Sequence, residues 1–360
     1  MERFYNRQTA NLQCEVVTPM FLGGANQEAE WRAAPFKSLL RYWWRVTQHG
    51  AASPDLLRKD EGSLFGQAGD DDDSGKSLVR VLVVPADTAK SVNRPLDRLE
   101  DVRHDECERQ QQRVQPLLYL AGMGLAEANG LRVKHSYFPA GASFEIHLDW
   151  PGEDVQMKAV GALLQAFGAV GARCRNGWGS FRIQGVLVQP EEAAKILDGL
   201  TMDWTLALTR DYPHCLGKDG RGPLLWKTAV RPQWQEAMRD LAQAYIEVRA
   251  HEVRTSTGMI GELKPGGGRN NTIQERHLLG IPLTNHGYGG GDARHSSPLR
   301  FVVKKQGEGF RGFILHLPHG HSRQQMQGSS VNQQKVWQKV HDKLYALKNM
   351  SRATYREVLA

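Results

Sequence analysis

The chain has 360 residues, 46 of them Lys or Arg and 39 Asp or Glu, so its formal net charge is +7 and its pI is about 9.2. This length allows a sizeable core and is typical of about two domains. Apolar residues make up 40% and charged residues 24% of the chain, a composition that excludes wholesale disorder. The positive charge favours a polyanionic partner such as nucleic acid.

The sequence contains no run of 18 or more apolar residues, and its first residues contain no apolar stretch typical of a signal peptide. We therefore expect no membrane partner and a cytoplasmic location. The four cysteines lie far apart without a C-x-x-C pair, which predicts reduced thiols and neither a disulfide framework nor a zinc ribbon. They are Cys14, Cys107, Cys174 and Cys215.

The first elements in chain order are a strand, a glycine turn and a helix. Residues 13–24 (QCEVVTPMFLGG) read as a strand that enters a turn at Gly23 and Gly24. Such a turn could also let the backbone approach a ligand, although turn geometry alone explains it. Apolar residues at helical spacing then predict a helix over residues 36–48.

The next 80 residues alternate between loop and strand patterns. Residues 54–76 read as a polar, acidic loop, and the β-branched run 77–84 (SLVRVLVV) is typical of a well-buried strand. Residues 85–135 read as an insertion with one apolar helical patch near LLYLAGMGLAEA and no regular strands. Residues 144–150 alternate as a strand, and residues 154–168 have helical spacing.

A glycine-rich basic loop over residues 171–180 leads into a last strand, FRIQGVLV. The order is therefore strand, helix, strand, strand, helix, strand, as in a ferredoxin-like or RRM-like βαββαβ domain. Residues 189–200 read as a link, after which the order repeats with a strand at DWTLALTR and a helix over 231–250. A glycine-rich insertion over residues 255–297 then precedes two strands, LRFVVKK and FRGFILHLP, and a helix over 331–349.

The predicted fold class is α+β, with two ferredoxin-like domains at residues 1–190 and 200–360. The last strand of the second domain is predicted to be weak or missing.

The helix over residues 36–48 carries a basic ridge. Lys37, Arg41 and Arg45 recur at i, i+4 and i+8, a spacing that suits a phosphate backbone, and Trp44 borders the ridge where it could stack a base. A solvated face beside a core tryptophan is the alternative, and Trp43 is expected in the core.

The loop GARCRNGWGSFR is the second candidate site. Arg173 and Arg175 supply charge, Trp178 offers a stacking surface, and glycines including Gly177 and Gly179 would bare backbone N–H groups for phosphate. A tight helix-to-strand connection is the alternative. The loop has no Walker pattern, which disfavours nucleoside triphosphates.

Metal and catalytic sites find little support. Asp70 to Asp73 form an acidic run beside glycine and serine that indicates a loop rather than a converging cation site. The thirteen histidines include two groups, and no member of either group pairs with a carboxylate at recognisable spacing. The first group is His277, His286 and His295, and the second is His316, His319 and His321. We predict no metal, no cofactor and no catalytic residue, although His319 and His321 could weakly bind zinc.

Several motifs resemble the RAMP superfamily of CRISPR systems: TPMFLGG, EWRAAPFKSLLRYWWR, EGSLFGQ, KSLVRVLV and GARCRNGWGSFRI. The pattern is most similar to that of the first RAMP subunit of the Cmr (type III-B) effector complex. The helix of that group reads K-G-x-L-R-x-W-W-R, and here Ser38 replaces the glycine. An E-x-x-L-F-G box follows at Glu61, Leu64, Phe65 and Gly66.

The resemblance implies a non-catalytic subunit with two ferredoxin-like domains. It would sit near the 3′ end of the guide RNA, contact target RNA and neighbour other Cmr RAMP subunits in antiviral defence. The matching RNA-contact residues would be Lys37, Arg41, Arg45, Arg173, Arg175 and Trp178.

The alternative is a RAMP-type endoribonuclease that processes guide RNA. Subunits of the superfamily that cleave the target place an aspartate after the first strand, where this chain has only Glu28 and Glu30.

Overall fold

The computed structural model describes residues 6–24, 26, 28–48, 50, 53–67, 75–106, 112–127, 129–152, 155–265, 272–281 and 294–360. Within these ranges the chain is a mixed α+β protein, which confirms the predicted class. Predictions about Asp70 to Asp73, His286 and Cys107 fall outside the described residues. No helix in the described ranges is long and apolar enough to cross a membrane.

The described elements of the first half are, in chain order, β1 (Arg7–Val16), α1 (Ala33–Thr47), α2 (Pro54–Phe65), β2 (Arg80–Pro85), β3 (Val102–Arg103), β4 (Arg113–Val114), α3 (Pro116–Leu125), β5 (Ser143–Pro151), α4 (Val155–Phe167), β6 (Phe181–Gln184) and α5 (Pro190–Gly199). Those of the second half are β7 (Thr201–Asp203), α6 (Trp204–Ala207), β8 (Leu216–Asp219), β9 (Gly222–Pro223), β10 (Leu225–Lys227), α7 (Trp234–Ala250), β11 (Val253–Thr255), β12 (Gly258–Ile260), β13 (Leu299–Gln306), β14 (Gly309–His316), α8 (Gln333–Ala346), β15 (Ser351–Arg352) and α9 (Tyr355–Leu359).

The first half forms a four-stranded sheet in the order β2-β5-β1-β6. Every neighbouring pair is antiparallel, and β1 pairs with β5 from Arg7 opposite Pro151 to Glu15 opposite Ser143. Apolar side chains alternate along β5, so Phe144, Ile146 and Leu148 are buried under α1 and α4. The sequence predictions of β1, α1, β5, α4 and β6 are therefore confirmed.

The second half repeats this strand order. Its four-stranded sheet runs β13-β14-β10-β15, again with every neighbouring pair antiparallel. The hairpin β13–β14, the helix α7 and the helix α8 follow the predicted patterns. Trp337, Val340 and Leu344 of α8 and Leu347, which follows its last residue, are buried as expected. The last strand, β15, has two residues, which agrees with the weak strand predicted.

The glycine-rich loop joins the two halves. The Phe301 N–H of β13 donates to the Arg175 carbonyl at 2.8 Å, and Arg300 Nη2 donates to the Ala169 carbonyl at 2.9 Å. One hydrophobic cluster includes Phe167 of α4 and Phe313 of β14. The boundary between 1–190 and 200–360 stays a prediction.

Three interpretations in the first half were wrong. The segment predicted as a loop over residues 54–76 begins with helix α2, which Ser53 caps by accepting from the Leu56 N–H and which Pro54 starts at its first position. The apolar run predicted as a well-buried strand is β2 at the edge of the sheet, where Leu82 is 57% exposed and Val84 is exposed too. Residues 85–135 do contain short strands, β3 and β4, of two residues each.

DWTLALTR is not the first strand of the second half. Asp203 ends β7, and its carboxylate accepts from the Thr205 N–H at 2.9 Å and so starts helix α6. The strand that opens the repeated order is β10, because its short apolar run pairs with β14. The predicted link over residues 189–200 contains helix α5, which Pro190 begins.

Candidate RNA interface

Helix α1 holds two of its three predicted cations in an ion-pair network. Arg41 Nε donates to Glu61 Oε1 at 2.6 Å, and Arg45 donates to both Glu61 oxygens, at 2.5 Å from Nε and 2.7 Å from Nη2. The Glu61 side chain is 6% exposed, whereas those of Arg41 and Arg45 are 35% and 41% exposed. The two arginines thus fasten α1 to α2 and share one carboxylate, so their group keeps one net positive charge.

Glu61 is charged because of this network. Burial raises the pKa of the Glu61 carboxyl, but hydrogen bonds and charges from Arg45 and Arg41 outweigh burial, so the pKa lies below its ordinary value. The glutamate of the E-x-x-L-F-G box therefore has a structural partner, the basic ridge itself.

Lys37 is the cation of the ridge that remains free. It is half-buried at the start of α1, and no described residue forms an ion pair with it. Burial and the charge of Arg41 lower the pKa of its ammonium group. An added anion near Lys37 would relieve this repulsion.

Neither tryptophan predicted to stack a base lies at the surface. Trp44 is 3% exposed and packs edge-on against Phe65, with ring centres 6.1 Å apart. Trp178 is fully buried and packs edge-on against Phe21 and Trp234. Both predictions of a stacking platform are wrong, because hydrophobic burial against neighbouring aromatic rings holds these side chains in the core.

Arg173 and Arg175 of the glycine-rich loop lie where the sequence predicts cations. Arg173 is exposed, adopts a left-handed conformation with φ of +58°, and forms no ion pair with the described residues. Arg175 is half-buried, and its guanidinium lies 5.6 Å from the ring centre of Tyr42 on α1. This contact places the loop directly beside α1.

The backbone of the loop is not an open phosphate nest. The N–H groups of Ala172, Cys174, Asn176 and Gly179 all donate to protein carbonyls, at 2.8 to 3.3 Å. The predicted binding of phosphate by bared N–H groups is therefore wrong for these four positions. The arginine side chains are therefore the loop's remaining candidates for contact with phosphate.

The buried glycines serve tight packing instead. Gly179 has a φ of +64°, and a Cβ there would lie 1.9 Å from the Val170 carbonyl oxygen. Gly177 has a φ of +90°, and a Cβ would lie 2.6 Å from Met238 Sδ of α7. Only glycine fits these backbone conformations and contacts.

The first turn has an open side. Gly24 donates its N–H to the Glu28 carbonyl at 2.7 Å, whereas Gly23 is exposed and a Cβ there would meet nothing within 4 Å. Gly23 thus remains accessible to a ligand.

Sequence reasoning missed Arg300 and Tyr42. Arg300, on β13 of the second half, is almost fully buried with its guanidinium 5.4 Å from the Tyr42 ring centre and 4.9 Å from that of Trp43. Arg175 shares the same tyrosine. The signal was the arginine within the otherwise apolar PLRFVV, which a strand facing solvent does not explain.

Most described histidines are buried and neutral. His295, His319 and His321 form a cluster in which His295 and His321 stack with ring centres 3.6 Å apart. Burial, aided by neighbouring positive charge, lowers the pKa of His295 to about 3 and that of His319 to about 3. None of these three histidines forms an ion pair with a carboxylate of the described residues.

One histidine pair was not anticipated. His147 on β5 lies on the sheet beside Glu145, with 2.8 Å between Nε2 and Oε2, because alternate residues of a strand share a face. Both side chains are more than one-third exposed.

Within the described ranges, no three His, Cys, Asp or Glu side chains are placed to share a metal ion. In the same ranges, Cys14, Cys174 and Cys215 are free thiols.

Comparison with protein families gives one match. Residues 13–182 match the family model described as the RAMP superfamily. This segment begins within β1 and includes α1, α2 and the glycine-rich loop. No curated protein matches the chain.

Among solved structures, Cmr1 from Pyrococcus furiosus in its apo form is similar, with 16% identity, a TM-score of 0.48, and 96% of this chain and 98% of that chain covered. A chain of the type III-B Cmr-beta complex bound to cognate target RNA has 9% identity and a TM-score of 0.43, with 93% and 99% covered. A chain of a type IV-B CRISPR complex has 14% identity and a TM-score of 0.29, with 51% and 92% covered. The family match, which includes the motifs of α1 and the glycine-rich loop, shows that residues 13–182 of this chain belong to the RAMP superfamily.

Proposed function

We propose that this chain is an RNA-binding, non-catalytic subunit of a type III-B CRISPR (Cmr) effector ribonucleoprotein. Its partners would be guide RNA, target RNA and other Cmr RAMP subunits, and its place would be near the 3′ end of the guide RNA. Membership of the RAMP superfamily over residues 13–182 and the net charge of +7 support this proposal.

The contact of Arg175 with Tyr42 is the observation that supports the proposal most strongly. It brings the glycine-rich loop against α1, so the cations of two distant sequence motifs lie on neighbouring elements. Lys37 and Arg173 have no ion-pair partner among the described residues. Positive charge without a protein counter-ion on such neighbouring elements suits a phosphate backbone.

The proposal includes two ferredoxin-like domains. In each half, the β-α-β-β-α-β series is β1-α1-β2-β5-α4-β6 or β10-α7-β13-β14-α8-β15. When the four strands of each series are numbered along the chain, they lie in the sheet in the order second, third, first, fourth. In the first half the loop before the fourth strand, β6, is the glycine-rich loop. The repeated order supports two such domains.

The cations differ in the role expected of them. Arg173 and Lys37 would contact phosphates directly, and Arg175 would do so from its position beside Tyr42. Arg41 and Arg45 are held by Glu61, so they would contribute one net charge from their exposed edges. Such contacts read the backbone, and sequence choice would come from base pairing.

Salt-dependent binding of single-stranded RNA tests the proposal. Arg173→Ala and Lys37→Ala should each weaken binding of all RNA sequences and lower the slope of log affinity against log salt by about 0.7, the value for one phosphate contact on a single strand. Lys195→Ala, an exposed lysine on α5, is the matched control and should change neither quantity. Unchanged affinity and slope in both test variants would contradict the proposal.

The runner-up function, an endoribonuclease, has one observation in its favour. His147 and Glu145 form an exposed pair on β5 that could supply a general base. Incubating labelled RNA with the protein decides between the two functions. The proposal expects intact RNA, whereas cleavage that His147→Ala abolishes would favour the enzyme.

A further inference from the structure

Strand β2 leaves one edge of the first sheet open. It comes first in the order β2-β5-β1-β6, and no other strand of the described ranges pairs with its outer side. Two of its apolar side chains face solvent, Leu82 with 57% and Val84 with 39% of the residue exposed. An exposed apolar edge strand is a template for pairing with another strand. The outer side of β2 is therefore a candidate protein interaction surface.

The register of β2 with β5 shows which backbone groups point outward. Just after β2, Ala86 donates its N–H to the carbonyl of Ser143, the residue opposite it, at 3.0 Å. Hydrogen-bonded pairs alternate along an antiparallel ladder, so the even-numbered residues of β2 bond to β5. Val81 and Val83 consequently direct their N–H and C=O groups to the open side.

The open stretch has a limit at each end. Pro85 is the last residue of β2 and has no N–H to donate. Val79, before the strand, already donates its N–H to the Leu64 carbonyl at 3.2 Å. The outward donors left for a partner strand are therefore those of Val81 and Val83.

A second copy of β2 fits this edge in one antiparallel register. With a twofold axis at Leu82, Val81 of each copy stands opposite Val83 of the other, and each of these two pairs exchanges two hydrogen bonds. Registers shifted by two residues to either side bring in Pro85, which lacks a donor, or Val79, whose donor is already used. The same axis sets Leu82 directly against Leu82 of the second copy, an apolar cross-strand pair.

The charge at the start of β2 is positive. Arg80 Nη1 lies 3.7 Å from Asp149 Oδ2, but Asp149 also accepts a hydrogen bond from Arg7. Two arginines thus share one carboxylate. Arg80 is exposed and is the more distant of the two partners, so it can pair with a further carboxylate.

The charge beside the end of β2 is negative. Glu145 stands opposite Val84 and is held by Gln13 at 2.6 Å and by His147 at 2.8 Å, without an Arg or Lys partner among the described residues. In the twofold register, Arg80 of one copy lies next to Val84 of the other and two strands from its Glu145, about 10 Å between backbones. Two long side chains bridge this distance, so the edge is complementary to itself in charge as well as in backbone bonding.

We propose that two copies of this chain associate through β2, antiparallel about Leu82, and form one continuous sheet of eight strands. Backbone pairing provides the contact, and the Leu82 pair and the two crossed pairs of Arg80 with Glu145 fix its register. The inference goes beyond the proposed function and does not depend on RNA binding. Because the paired stretch is short, the dimer should dissociate on dilution.

Sedimentation of the unchanged protein over a range of concentrations tests for this dimer. Leu82→Lys should weaken self-association at least tenfold, because it places two like charges directly opposite each other. Leu206→Lys is the matched control, since Leu206 on α6 is 64% exposed and lies away from β2, and it should leave the association constant unchanged. Thermal unfolding shows that each variant is folded.

A charge exchange tests the register. Arg80→Glu alone and Glu145→Lys alone should each remain monomeric at a concentration where the unchanged protein is dimeric, because each brings like charges together at both crossed contacts. An equal mixture of the two variants should associate, because both contacts then join opposite charges. Absence of recovery in the mixture would overturn the proposed pairing.

A cysteine pair tests the position of the axis. Opposite residues in a non-hydrogen-bonded pair have Cα atoms about 4.5 Å apart, within disulfide range. Leu82→Cys treated with diamide should therefore give a disulfide-linked dimer. Val84→Cys, which would stand opposite Arg80, should give no more than the unchanged protein.

Two results would overturn the inference. One is a protein that stays monomeric at every concentration, which would leave the edge to a different protein or to none, and the other is a dimer that Leu82→Lys leaves intact. RNA binding measured on the same samples keeps the two proposals apart. Loss of RNA binding in the unchanged protein counts against the proposed function alone.

Discussion

Arg45 and Glu61 form a two-point ion pair between α1 and α2, with Arg45 Nη2 2.7 Å from Glu61 Oε1 and Arg45 Nε 2.5 Å from Oε2. The pair turns two motifs that are separate in sequence, the basic helix and the E-x-x-L-F-G box, into one structural unit. It also means that the basic ridge cannot be counted as three free charges.

Replacing the Glu61 carboxylate should show how much it stabilises the folded protein. We expect Glu61→Gln to lower the free energy of unfolding by about 1 to 3 kcal/mol, less than for a fully buried pair because Arg41 and Arg45 are more than one-third exposed. Because the pKa of Glu61 is depressed, its stabilisation is present above the ordinary glutamate pKa and is lost as pH falls below it. Urea unfolding at pH 7 and pH 4 measures both effects, and an equal loss at the two pH values would contradict this account.

The buried tryptophan of the glycine-rich loop should act on stability rather than on stacking. Trp178→Ala leaves a cavity between Phe21 and Trp234, so we expect a loss of about 3 to 5 kcal/mol in the free energy of unfolding. Denaturant unfolding gives this value. A variant of normal stability that binds RNA more weakly would show instead that the ring reaches the ligand.

The two glycine positions Gly179 and Gly185 make a matched comparison. Both have positive φ, +64° and +89°, but a Cβ would strike the Val170 carbonyl at Gly179 and would meet nothing within 4 Å at Gly185. We expect Gly185→Ala to cost about 1 kcal/mol and Gly179→Ala clearly more, because the second variant adds a backbone clash to the strain. Equal shifts in thermal unfolding would contradict the packing argument.

Acid should destabilise the second half through its buried histidines. Burial, His321 and Arg175 lower the pKa of His295 to about 3, so the folded protein excludes a proton that the unfolded chain binds below pH 6.5. Stability is therefore complete above pH 6.5 and falls toward pH 3, by up to about 1.4 kcal/mol per pH unit for each such histidine. Denaturation of the unchanged protein and of His295→Gln at pH 7, 6 and 5 should show a smaller pH slope in the variant.

His147 is the control for that pH series. It is more than one-third exposed beside Glu145, so His147→Gln should leave the acid-dependent loss in place. If the free energy of unfolding changes with pH equally in the unchanged protein and in His295→Gln, His295 does not contribute to the acid-dependent loss of stability.

The sequence by itself determined the elements with strong periodicity. Apolar spacing alone predicts α1, α4, α7 and α8, and the alternation of β5 and the apolar runs of β13 and β14 predict their strands. The motifs of α1 and the glycine-rich loop resemble the RAMP superfamily, and both lie within residues 13–182, which match its family model.

Only the tertiary structure decided which side chains are exposed and unpaired, and so available to contact a ligand. Trp44 and Trp178 border basic residues in sequence, yet both are buried, because side-chain direction depends on the elements packed around them. DWTLALTR has the pattern of a strand, but the Asp203 cap and pairing of β10 with β14 assign that role to a later segment. Charge is likewise a local property of sequence, whereas its neutralisation by Glu61 depends on the folded distance between α1 and α2.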